Sequence, residues 1–373
     1  MTINNDSLIK QQFFSLLRAG IWNINPDISL FKEIDWEKLY SVAKSQALLG
    51  IILDGIENLP QECYPPRPLY LKWCAEVIAI EDNNKILDKE VVNLFEILED
   101  NGIRPVLMKG QVAALNYRIP NHRSCGDIDI YIGKKDYDKT NRILSIEGKA
   151  LEKWSPKHMM YSWHGVTVEN HRILANLASP KSMKALNNII DGWFRDNSLI
   201  KCKIGNKEIT VPPAEFDAVF LLLHTVVHLM GLGIGFRQVC DWALFLHRKH
   251  NELNKNEIEK IAKGLGMWAA WKIFGAFSVK YLGIEKSDLF FPYSPEDEKV
   301  AEEVLDDIWE NGNFGFSKER IRKLPKGWIK ARLTNFSYRL KRNKKLYKVS
   351  PQEAIWLPYW RIKHFFKRHL GIS

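Results

Sequence analysis

In the stretch "SCGDIDIYIG", two acids stand two residues apart, Asp127 and Asp129. Side chains alternate faces along a strand, so Asp127, Asp129 and Tyr131 share one side and Ile128, Ile130 and Ile132 the other. The three isoleucines bury their side and fix the register, which forces both carboxylates to emerge together. Two like charges held this close cost free energy unless a cation neutralises them. Oxygen ligands of this type suit Mg²⁺. The bland alternative is a solvated polar start to a strand.

The same alternation supplies a third acid. In "GVTVENH", Val166 and Val168 face the core and leave Thr167, Glu169 and His171 on the opposite side. If this strand lies beside the first, Asp127, Asp129 and Glu169 converge. Three carboxylates so placed can hold two divalent ions about 3.5–4 Å apart, clamping the attacking and leaving oxygens of phosphoryl transfer. Mg²⁺ is the expected ion, with Mn²⁺ as a substitute. Upstream, "VLMKG" ends a strand, and Gly110 opens a helix whose free backbone N–H groups can receive a phosphate. Lys109 adds a point charge there, and Arg123 adds a forked donor for the same polyanion. The set matches a nucleoside triphosphate. Against it stand Lys109 as an ordinary surface lysine and Arg123 as a simple partner of Asp127.

The elements that must position these residues follow from periodicity. "SLIKQQFFSLLRAGIW" and "DWEKLYSVAKSQALLGIILDGI" repeat apolar residues at helical spacing, and "LPQECYPPRPL" is a proline-rich loop. A long helix follows, with Val77, Ile80, Leu87, Val91, Leu94 and Leu98 on its apolar side and Asn101-Gly102 as its stop. The pattern then becomes strand, helix ("QVAALNYRI"), strand, helix, strand, and "CKIGNKEITVPP" reads as a hairpin turning at Gly205-Asn206. After Pro212-Pro213 helices dominate. The predicted organisation is an N-terminal helical region (1–100), a small mixed α/β core (101–212), a C-terminal helical domain (213–317) and a helical tail (318–373).

The order Lys109-Gly110, helix, Arg123, Asp127-x-Asp129, then Glu169-Asn170-His171 resembles the polymerase-β-like nucleotidyltransferase superfamily. More narrowly it is similar to a family of uncharacterised bacterial nucleotidyltransferases, in which an "R…DIDI" strand precedes an "[DE]-x-H" strand. The helix carrying His224 and His228, and the Arg237-x-x-x-Asp241 helix after it, continue the resemblance, which spans about residues 7–250. It implies an α+β fold, a minimal nucleotidyltransferase core flanked by helices. It also implies Asp127 and Asp129 as Mg²⁺ ligands, Glu169 as third ligand or base, and His171 with Lys109, Gly110 and Arg123 around the nucleotide. One departure is Lys109-Gly110-Gln111 where most of the superfamily has Gly-Ser or Gly-Gly. His224 and His228 lack the glutamate of a zinc-protease motif; the reading taken is structural, hydrogen bonding to the Arg237–Asp241 helix.

The expected reaction moves a nucleoside monophosphate from an NTP to an acceptor hydroxyl or phosphate and releases pyrophosphate. A sugar phosphate or surface-polymer precursor, a protein, a tRNA and a small molecule all fit as acceptor. The alternative is a non-catalytic nucleotide- or anion-binding module. Five scattered cysteines suggest neither a disulfide framework nor a cysteine zinc site, and the start of the chain does not read as a secretory signal. A cytoplasmic protein is expected. Net charge is +10, yet residues 318–373 hold 17 Lys and Arg against two acids, or +15, leaving about −5 for the rest. In the tail, Tyr359, Ile362, Phe366 and Leu370 line one side of a helix and Arg361, Lys363, Lys367 and Arg368 lie elsewhere. Nucleic acid, an anionic membrane surface and plain packing on the body are open, and the last two are favoured, with a peripheral place at the inner face of the membrane.

Overall fold

The computed structural model describes residues 5–152, 155, 157–313, 315 and 323–370. Three helices come first: α1 (Asn5–Trp22), α2 (Trp36–Ser45) and α3 (Leu49–Ile56). Asp35 caps α2 by accepting from the Lys38 amide at 2.9 Å. The helical pattern through Ile56 is broken at Ala47, which takes φ 58° and turns α3 away. Helices α1 and α3 then cross closely because glycines face their partners. A Cβ on Gly20 would sit 1.9 Å from the Ile51 carbonyl oxygen, and one on Gly55 2.1 Å from that of Leu16.

Helix α4 (Arg67–Asp100) runs 34 residues and ends at Asn101, with Gly102 at φ 70°. It lies along a five-stranded sheet of order β1-β2-β5-β4-β3, made of β1 (Val106–Met108), β2 (Ile128–Tyr131), β3 (Lys149–Ala150), β4 (His158–Trp163) and β5 (Val166–His171). Strands β2 and β5 are parallel and the other neighbours antiparallel. Helix α5 (Gly110–Ala114) follows β1, and α6 (Tyr137–Glu147) follows β2. One sheet face, with Leu107, Ile128, Ile130, Val166 and Val168, packs on Leu87, Val91, Leu94 and Phe95 of α4. The hairpin β6 (Ile200–Ile204) and β7 (Lys207–Val211) adds Ile204, Ile209 and Val211 to that core.

The opposite face meets a helical body. It comprises α7 (Pro180–Arg195), α8 (Ala214–Gly231), α9 (Phe236–Lys249), α10 (Lys255–Gly264), α11 (Trp268–Phe277) and α12 (Pro295–Asn311). Val106, Met108 and Tyr131 join its core, where Tyr131 meets Trp193 edge-on at 6.3 Å. Phe13 and Phe14 of α1 contact Phe236 of α9 at 5.8 and 5.2 Å. The helices before and after the sheet therefore share one apolar core. Helix α8 is long and apolar enough to cross a membrane by composition, and 67% of that window is buried in the protein.

Two helices close the described chain, α13 (Trp328–Lys345) and α14 (Pro351–Leu370). Buried charges fasten them. Arg342 makes a two-pronged pair with Asp307 at 2.9 and 2.8 Å, and Glu353 accepts from the Ala178 and Ser179 amides at 2.7 and 3.1 Å. Pro358 inside α14 cannot donate to the Ala354 carbonyl, and Asn343 contacts that oxygen instead at 3.5 Å. Ile355, Trp356, Tyr359 and Ile362 of α14 remain exposed. The side chains of Phe366, Lys367, Arg368 and Leu370 lie outside the described residues.

Candidate active site

Parallel pairing sets Asp129 directly beside Glu169. Asp127 lies one residue ahead of β2, and one oxygen from each of Asp127, Asp129 and Glu169 falls within 4.8 Å of the others. They line a cleft of about 200 Å³ between the sheet and α8, together with Lys109, Gly110, Leu221, His224, Thr225, His228, Arg237 and Gln238. That volume is below the ~300–1,000 Å³ common for whole small molecules. It suits a phosphate-sized group rather than a whole small molecule.

The loop leading to Asp127 is held from three sides. His122 is clamped between Asp54 and Glu81 at 2.7 and 2.8 Å. Asn84 donates to the Asn121 and Arg123 carbonyls at 2.7 and 2.8 Å, and Gln111 to the Asp127 carbonyl at 3.2 Å. These bonds come from α3 and α4, before the sheet, and from α5 after β1, so helices on both sides of β1 position the acids.

Lys109 has φ 55° and Gly110 φ 30°. A positive φ is costly for a lysine, by about 1–3 kcal/mol, and such strain persists where surrounding structure imposes it. The turn aims the Lys109 ammonium at Asp129, 3.0 Å from Oδ1, and 3.2 Å from Nε2 of His224. Helix α5 is only five residues long. It offers much less of a dipole than the longer helix expected from "QVAALNYRI".

His171 meets Asp129 at 2.6 Å and Glu169 at 3.4 Å through Nε2. Burial alone would raise the Asp129 carboxyl, but Lys109 and His171 outweigh it and hold the group well below the usual carboxylate range. Asp127 goes the other way, pushed up to about 6, first by the Asp129 charge and then by burial. The pair divides as two acids in one site must: one ionised and bonded, the other inclined to keep a proton. For Glu169 burial is again the largest influence and raises it, yet the hydrogen bond to His171 brings it below its ordinary value. His171 is raised, because its bonds to Asp129 and Glu169 overcome its burial.

Two expectations meet a different geometry. Arg123 is buried, and its fork is taken by Asp241, Nε to Oδ1 at 2.8 Å and Nη2 to Oδ2 at 2.7 Å. It ties the loop before Asp127 to α9, with Tyr117 completing the carboxylate at 2.8 Å. Arg123 and Asp241 both line the cleft, but the fork expected to face a polyanion is occupied by Asp241. His224 bonds to Lys109 rather than to α9, and burial followed by the Lys109 charge drives its proton affinity far down. A neutral ring accepting from Lys109 is the result.

Arg237, named in sequence only as part of the Arg237-x-x-x-Asp241 helix, lines the cleft, donates to the Ser124 carbonyl at 2.5 Å, and its buried Nε has no hydrogen-bond partner among the described residues. The structure also adds a residue the sequence reading passed over. His158 on β4 stands opposite His171, with Nδ1 3.8 Å from Glu169 Oε2. Its signal was present in "MMYSWHGVTVENH": a two-residue His164-Gly165 turn between alternating segments marks a hairpin.

Carboxylates gathered from two parallel neighbours of a small mixed sheet, opposite a strained Lys-Gly turn, define the α+β nucleotidyltransferase class. Residues 32–277, well over half of the chain, match the model of the family described as uncharacterised nucleotidyltransferase, and the chain belongs to that family. The match takes in α2 through α11 and stops short of α12 and the basic tail. No curated protein matches the chain.

Proposed function

We propose that the protein transfers a nucleoside monophosphate from an NTP to an acceptor hydroxyl or phosphate in a divalent-cation-dependent reaction. The observation that carries this is the convergence of Asp127, Asp129 and Glu169 in one cleft beside Lys109. The donor set fits Mg²⁺: three hard oxygens, with Asp129, though buried, kept ionised by Lys109 and His171 and Asp127 raised first by the Asp129 charge. When bound, divalent cations would supply charge neutralisation at the attacking and leaving oxygens.

The acceptor oxygen attacks the α-phosphorus, the bond from that phosphorus to the bridging oxygen breaks, and pyrophosphate leaves. Asp127, Asp129 and Glu169 would hold the cations, and Glu169 would assist in taking the acceptor proton. Lys109 exchanges its bond to Asp129 for the triphosphate. Arg237 is the guanidinium proposed to meet the same anion, since Arg123 is committed to Asp241. His224 keeps the Lys109 ammonium aimed into the cleft. We further propose that the exposed apolar side of α14 and its basic neighbours rest on an anionic membrane surface at the cytoplasmic side.

The test is pyrophosphate release from each of the four NTPs with Mg²⁺, across sugar-phosphate, protein, tRNA and small-molecule acceptors. Asp129→Asn and Asp127→Asn should each abolish it while leaving the circular dichroism of the fold intact. Thermal stabilisation by Mg²⁺ and NTP with no pyrophosphate from any acceptor would overturn the catalytic assignment and leave a binding module.

A further inference from the structure

The β4–β5 hairpin sets a second group of ligand atoms beside the carboxylates. His164 and Gly165 both take positive φ, 45° and 88°. A two-residue turn of that kind matches the strand twist and locks the register. Trp163 pairs with Val166, and stepping back along both strands brings His158 opposite His171. Met159, Tyr161 and Trp163 belong to the core under α4, so His158 lies on the cleft side with Glu169 and His171.

The three side chains converge on one oxygen. Glu169 Oε2 is 3.4 Å from His171 Nε2 and 3.8 Å from His158 Nδ1, and one ligand atom from each residue lies within 4.8 Å of the others. Ligands about 2.0–2.2 Å from a shared ion stand roughly 3–3.6 Å apart. The two measured separations are at or close to that spacing.

A carboxylate oxygen stands near the other side of the His158 ring, just beyond hydrogen-bond distance. His158 Nε2, the nitrogen turned away from Glu169, is 3.6 Å from Oε1 of Glu152. That oxygen is buried and has no hydrogen-bond partner among the described residues. Metal-bound histidines almost always rest their second nitrogen on a carboxylate, carbonyl or water, which fixes ring and tautomer.

We propose that His158, Glu169 and His171 form a nitrogen-containing cation site that takes Mn²⁺, Co²⁺ or Zn²⁺ in preference to Mg²⁺ and shares Glu169 with the oxygen site of Asp127 and Asp129. Imidazole suits first-row transition ions, whereas Mg²⁺ favours oxygen and keeps several waters. The centre is then asymmetric, with one all-oxygen side and one imidazole-bearing side. The proposal goes beyond nucleotidyl transfer and stands on its ligand geometry alone.

The test uses the full chain, stripped with a chelator and titrated with Co²⁺ without nucleotide, followed by visible d–d absorption and calorimetry. Co²⁺ should bind with the intense bands of a low-coordinate, nitrogen-ligated ion and should resist excess Mg²⁺. His158→Ala should weaken Co²⁺ at least about tenfold, and Glu152→Gln by about 10–100-fold. Asp127→Asn, which touches only the oxygen side, should leave the Co²⁺ spectrum in place. Binding unchanged in both His158→Ala and Glu152→Gln, binding lost in Asp127→Asn, or displacement by Mg²⁺ would each overturn the proposal. No turnover is read, so absence of pyrophosphate release leaves this result untouched.

Discussion

Replacing Asp127 with Asn should make the cation-free protein more stable at neutral pH while abolishing transfer. The Asp129 charge, then burial, push the Asp127 carboxyl up to about 6 from an ordinary 3.8. The folded protein therefore holds this proton more tightly than the unfolded chain. Below pH 3.8 the group is protonated in both states and carries no penalty. As pH rises through 3.8 the unfolded chain releases its proton first, so folded stability falls, and the loss is complete once pH passes about 6.

The gap of about 2 pH units corresponds to about 3 kcal/mol at ~1.4 kcal/mol each. Solvent reaching the partly exposed carboxyl reduces this to about 1–2 kcal/mol. At the low end of the thermal response for large domains, about 2 °C per kcal/mol, Asp127→Asn should melt about 2–4 °C higher than the parent at about pH 8 in chelator. The difference should nearly vanish at about pH 4, where the folded Asp127 carboxyl is protonated and the unfolded one is only partly ionised. Mg²⁺ at about 100 times its dissociation constant should stabilise the parent by about 2.7 kcal/mol and reverse the order. Scanning calorimetry at the two pH values, with and without Mg²⁺, reads all three outcomes. An Asn variant that melts at or below the parent at about pH 8 in chelator, or a gap that survives undiminished at about pH 4, would refute mutual repulsion as the organising force of the site.

Asp241→Asn leaves the buried Arg123 guanidinium without its charged partner and should cost about 3–5 kcal/mol in denaturant unfolding, part of which the double change Arg123→Met with Asp241→Met should restore. Lys109→Met removes the ammonium 3.0 Å from Asp129, so calorimetry should show tighter Mg²⁺ binding, while kcat/KM for pyrophosphate release falls about 10–100-fold through loss of a charged triphosphate contact. Serine at Trp356 and Tyr359, both exposed on α14, should lower co-sedimentation with anionic vesicles about tenfold and leave melting unchanged.

What could be read from sequence was local. Period-two alternation in "DIDIYI" and "GVTVENH" assigns faces to Asp127, Asp129 and Glu169 within a few residues, and the structure pairs these strands side by side. The Asn101-Gly102 stop of α4 and the Gly205-Asn206 tip of the β6–β7 hairpin are equally local. What escaped depends on distant residues. Arg123 meets Asp241 across 118 positions, and Lys109 meets His224 across 115. Neither spacing has a period to detect. Helix α8 is apolar on nearly every side, because the body covers most of it, so hydrophobic pattern could not show that His224 and His228 turn to the cleft.

These distant partners explain how the chain itself offsets the repulsion among the acids of the site. Asp129 has Lys109 and His171 on a single oxygen, at 3.0 and 2.6 Å. His171 also reaches Glu169, and Asp127 relieves its own repulsion by favouring a proton. The protein thus supplies internal substitutes for a cation: an ammonium, an imidazole and a proton. Each is mobile or titratable, so on the proposed reading a divalent ion would displace it at modest cost. A permanent guanidinium pair here, of the kind that locks Arg123 to Asp241, would hold the carboxylates too firmly to be exchanged. The division between an exchangeable lysine and a fixed arginine in the same cleft is what the proposed function requires of its acids, Asp129 to receive an ion and Asp241 to brace a loop.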